Sequence, residues 1–82
     1  MYKNRSSSGQ NNICGKNICA LRKKFIPKVS QRAFAEKLQL EGLDLDKNAI
    51  QRIESGKRFV TDIELKVFAK ILNTTADELL KD

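Results

Sequence analysis

Histidine is absent from this chain, proline occurs once and cysteine only twice. Without histidine the commonest general base and metal ligand is missing. Two cysteines alone do not complete a structural zinc site. No Gly-rich phosphate loop and no nucleophile–base pair stands out, so an enzyme is the function class with least support, and no metal or other cofactor is expected. Cys14 and Cys19 on one helix would lie about 7.5 Å apart along its axis and about 140° apart around it, a poor geometry for a bridge. They read instead as buried or half-buried free thiols in a reducing compartment. The apolar runs fall far short of the roughly 20 residues that cross a bilayer, and no basic segment followed by an apolar stretch opens the chain. Neither membrane attachment nor a secretory signal is therefore expected, and the location reads as cytoplasmic. Alternating strand patterning is also missing, which points to an all-α fold.

Eighty-two residues are enough for one small domain. The 16 lysines and arginines outnumber the 10 acids, giving a net charge of +6. The surplus is uneven: 13 basic and 5 acidic residues precede Thr61, whereas 3 and 5 follow from it onward. A basic front and an acidic back fit one face presented to a polyanion, or simply a solubilising charge. Residues 1–12 are polar, rich in Ser, Asn and Gly, and carry Lys3 and Arg5. They read as a flexible arm, either frayed or touching an anionic partner, before a domain spanning 13–82.

Five short helices are legible. Ile18, Leu21 and Phe25 recur at helical spacing and predict a first helix over 15–25, stopped by Pro27. Ser30 is placed to cap a second, whose core face is Phe34, Ala35 and Leu38. The stretch Gln39–Asp44, containing Gly42, reads as a long and partly packed connection. Asp46 is placed to cap the third helix, Ile50 and Ile53 face inward, and Gly56 ends it. Thr61 with Glu64 forms a capping box for the fourth, with Leu65, Phe68, Ala69 and Leu72 on its core side. Thr75 and Glu78 repeat that device for the fifth, which buries Leu79 or Leu80.

Taken in order, these elements resemble the lambda-repressor-like, Cro/C1-type (XRE) helix-turn-helix family. The matching residues are Leu21-Arg22, Ser30-Gln31 with Phe34 to Leu38, and Ile50-Gln-Arg-Ile-Glu-Ser-Gly-Lys57. The run from Leu65 to Leu72 and the Thr75 helix complete them, so the likeness covers 13–80. Two departures stand out. The segment from Leu38 to Glu54 is about five residues longer than the family's tight turn, and that turn sets the angle of the third helix. The loop from Ile26 to Val29 is also longer than usual.

The resemblance implies a compact five-helix domain that binds double-stranded DNA in a sequence-specific manner. It implies a transcriptional regulator, read as a repressor, acting as a homodimer on a palindromic operator with the third helix in the major groove. By position and chemistry Lys47, Asn48, Gln51 and Arg52 are the base-reading candidates, since Arg or Lys bonds guanine and Asn or Gln bonds adenine. Gln31, Lys57 and Arg58 fall where phosphates are touched, with Arg32 and Lys28 weaker candidates. Arg22 and Glu54 match a partly buried structural salt bridge. Beyond its core stripe the fourth helix carries Ile63, Val67 and Ile71 at four-residue steps. This row is either a partner surface or is covered by the connection bearing Leu40 and Leu43. The competing function is a protein–protein interaction module, antitoxin-like or an adaptor, that keeps the fold without reading DNA.

Overall fold

In four of the five helices the residue just before the first turn caps it with its own side chain. A computed structural model describes residues 11–81, and among them there are five helices and no strand. They are α1 (Gly15–Lys23), α2 (Gln31–Leu40), α3 (Lys47–Glu54), α4 (Asp62–Ile71) and α5 (Ala76–Leu79). Ser30 Oγ accepts from Ala33 N at 3.0 Å and Asp46 Oδ1 from Ala49 N at 2.8 Å. Thr61 and Glu64 bond each other's backbone N–H reciprocally, and Thr75 Oγ1 accepts from Glu78 N. Each cap satisfies a donor that helix geometry leaves without a partner.

The helix ends differ from the periodicity reading at two places. α1 stops at Lys23, before Pro27 can act, because Lys24 N and Phe25 N bond the carbonyls three residues back. That tightened last turn swings Phe25 off the helix, yet it still packs on the core. α2 runs on to Leu40, so Gln39 and Leu40 belong to the helix and not to the connection. Leu43 N then bonds Leu38 O, and Gly42 N bonds Gln39 O, closing α2 with a Schellman motif. α3 ends the same way through Lys57 N to Arg52 O and Gly56 N to Ile53 O. Gly56 takes the left-handed conformation this requires, φ 81°.

α1 packs on α3 and α5, α2 on α3 and α4, and α4 on α5. Phe34 of α2 and Phe68 of α4 stack at the centre, ring centroids 6.0 Å apart. Ile18, Leu38, Ile50, Ile53, Val60 and Leu79 are fully buried around them. Leu79, not Leu80, is therefore the fifth helix's core residue, and Leu45 enters the core just ahead of the Asp46 cap. Cys14 is buried and Cys19 half-buried, both as free thiols.

Residues 1–10 of the expected arm lie outside the described residues. Its last two, Asn11 and Asn12, are part of the domain. Asn12 is 1% exposed, and its side chain accepts from Gly15 N at 2.7 Å. Its amide donates to Ile53 O at 3.0 Å and Arg58 O at 2.7 Å. Composition hid this, because a polar run looks solvated even where one amide in it caps two helix ends.

Candidate nucleic-acid interface

α3 presents two unlike faces. Ala49, Ile50 and Ile53 are buried, whereas Lys47, Asn48, Gln51 and Arg52 are all exposed. At 100° per residue those four occupy one arc of about 140°. Among the described residues none of the four side chains has a hydrogen-bond or ion-pair partner. The structure therefore brings all four base-reading candidates together on one open face.

At the edge of that face lies an engaged polar network. Arg22 Nε and Nη2 donate to the two carboxylate oxygens of Glu54 at 2.7 and 2.9 Å, a bidentate pair whose side chains are only 10% and 5% exposed. Arg22 Nη1 also donates to Val29 O at 2.9 Å, tying in the loop ahead of α2. Gln31 Nε2 donates to Glu54 Oε1 at 3.0 Å. Burial raises the energy of the Glu54 charge, but the hydrogen bonds from Arg22 and Gln31 outweigh it and hold its pKa below the ordinary glutamate value. The same contact raises the Arg22 pKa. Gln31 thus spends one amide N–H within the chain and keeps the second for an outside acceptor.

The phosphate candidates separate. Arg32 and Lys57 are exposed, and their side chains have no partner among the described residues. Arg58 differs from expectation. Its Nη1 and Nη2 each donate to a carboxylate oxygen of Glu64 at 3.0 Å, and Nη1 also donates to Phe59 O. Glu64 is 8% exposed, so Arg58 neutralises a buried carboxylate and belongs to the scaffold before any ligand arrives. Burial alone would raise the Glu64 pKa; Arg58 and the Thr61 backbone lower it instead. The capping-box role of Glu64 is legible in the sequence, and that role carries no sign of a second partner in Arg58.

The apolar row on α4 also divides. Ile63 is 70% exposed, while Val67 and Ile71 are half-buried and pack on the core together with Leu43. Glu41 and Lys70 form an ion pair that joins the end of α2 to α4 beside them. Of the two readings left open for Ile63, Val67 and Ile71, a continuous exposed row is not present, since only Ile63 is strongly exposed. Leu40, on the same stretch, is 87% exposed.

Cys14 is fully buried, which pushes its thiol pKa up to about 11 and leaves it inert at neutral pH. Among the described residues no three His, Cys, Asp or Glu side chains gather to hold a metal ion, and no helix is long and apolar enough to cross a membrane. No protein-family model, curated protein or solved structure matches the chain.

Proposed function

We propose that the chain is a sequence-specific double-stranded DNA-binding protein of the lambda-repressor-like helix-turn-helix type. α3 enters the major groove, with Lys47, Asn48, Gln51 and Arg52 at the base edges. Gln31, Arg32 and Lys57 take the phosphates. The uncommitted polar arc of α3 carries this reading. Four neighbouring side chains with the donors and acceptors that read bases are exposed and unpaired, while the polar groups beside them are satisfied within the fold. The helix capped by Asp46 is the right width for the groove. Arg22 and Glu54 fix its angle, offsetting the lengthened turn.

One α3 of eight residues reaches few base pairs, so the working species on a palindromic operator is a dimer. The regulatory role is repression by occupying that operator, in the cytoplasm.

Duplex titration across salt concentrations tests this reading. The logarithm of the binding constant should fall linearly with the logarithm of salt, with a slope near −0.9 per phosphate neutralised. Lys57→Ala should weaken binding to all sequences alike and reduce that slope by about 1. Absence of saturable duplex binding at low salt overturns the proposal in favour of a protein-interaction module.

A further inference from the structure

We propose that α2 also reads a base: Glu36 accepts a hydrogen bond from the exocyclic amine of a cytosine, which extends the reading surface across the gap between α2 and α3. This rests on the duplex-binding reading and adds a specificity determinant that α3 alone does not provide. α2 and α3 do not close against each other at the outer surface. They leave an open cleft of about 450 Å³, lined by Arg32, Glu36 and Gln39 from α2 and by Asp46, Lys47 and Asn48 at the start of α3. Arg32, Glu36 and Gln39 project within about 60° of one another around α2. The cleft therefore opens on the same side as the first two base-reading candidates.

Two of its other polar side chains are engaged within the chain. Asp46 caps α3, and Gln39 Nε2 reaches across to Leu45 O at 3.4 Å. Glu36 is exposed and has no partner among the described residues, although Arg32 stands one turn before it and Lys47 lines the same cleft. An unpaired carboxylate on a surface that meets a polyanion weakens every complex unless a donor meets it there. In the major groove cytosine N4 is the donor that glutamate accepts from. With Arg32 and Lys47 flanking it, the carboxylate would be screened from neighbouring phosphates while it reads that base.

Selection of bound sequences from a random duplex pool tests the assignment on the full chain, using wild type, Glu36→Ala and Glu36→Gln. The expected result is loss of a cytosine preference at one position in Glu36→Ala, about tenfold in relative affinity. Glu36→Gln should shift that position toward adenine, which a glutamine amide reads. Both variants should melt as wild type does, since the side chain is exposed and unpaired. An unchanged sequence profile overturns the inference, including one in which affinity rises uniformly because only phosphate repulsion was removed. A wild-type chain that selects no sequence overturns the duplex-binding reading as well, whereas an unchanged profile in Glu36→Ala leaves that reading intact.

Discussion

Glu54 holds two elements in place at once, and removing either side of its pair with Arg22 strands a charge that is 5–10% exposed. Glu54→Ala or Arg22→Ala should each cost about 3–5 kcal/mol of stability. The double variant Arg22→Ala, Glu54→Ala should cost less than the sum of the singles by about 0.5–3 kcal/mol. Denaturant melts measure all of these, and strictly additive losses would mean that the pair is not coupled. The pH dependence has a definite sign. The folded pKa values of Glu54 and Glu64 lie below their unfolded values, so their stabilisation is complete above about pH 4.3, the ordinary glutamate value. It disappears as pH falls through the lower folded values, and wild type should lose stability there more steeply than the double variant. Roles at this scale were only partly legible. Arg22 and Glu54 were matched by resemblance, whereas Arg58 was placed on phosphate. A cation after a helix reads the same whether its acid lies inside the chain or on a ligand.

The helices themselves could be read from their caps, because Ser30, Asp46, Thr61 and Thr75 act on donors three residues away. What could not be read is the junction that holds α1 against α3. Gly15 sits where a Cβ would lie 2.0 Å from Ile53 O, and Asn12 bonds Ile53 O and Arg58 O while capping Gly15 N. Such a contact spans some 40 positions and leaves no periodic trace; only the Asn-x-x-Gly spacing before α1 hinted at a cap. In an ordinary exposed helix, Gly→Ala stabilises by about 0.5–1 kcal/mol. Gly15→Ala should instead destabilise, since backbone would have to move at the end of α3. Asn12→Ala should cost about 1–3 kcal/mol, because it takes the partner from the Arg58 carbonyl and from the Gly15 N–H, and one of two donors from Ile53 O. A Gly15→Ala chain that melted later than wild type would refute this account of the junction.

Across the whole molecule, the segment between α2 and α3 decides what surface remains for a partner. Gln39 and Leu40 lengthen α2, Gly42 turns the chain, and Leu43 returns to the core, on which Val67 and Ile71 also pack. Among the described residues the three strongly exposed large apolar side chains, Ile26, Leu40 and Ile63, sit on different elements. Single exposed apolar residues are ordinary, whereas a stable standard interface buries about 800 Å² per partner. The two ends of the α4 row should therefore behave differently. Val67→Glu places a charge against the packed core and should lower the melting temperature. Ile63→Glu should leave it unchanged, within about 0.5 kcal/mol. Under the proposed function, Ile63→Glu and wild type should sediment alike off DNA, and dimers should form only on a duplex whose two half-sites hold them together. If wild type sedimented as a dimer without DNA and Ile63→Glu as a folded monomer, the α4 row would be the dimer interface despite its two packed members. The operator affinity of that variant would then fall with its loss of pairing.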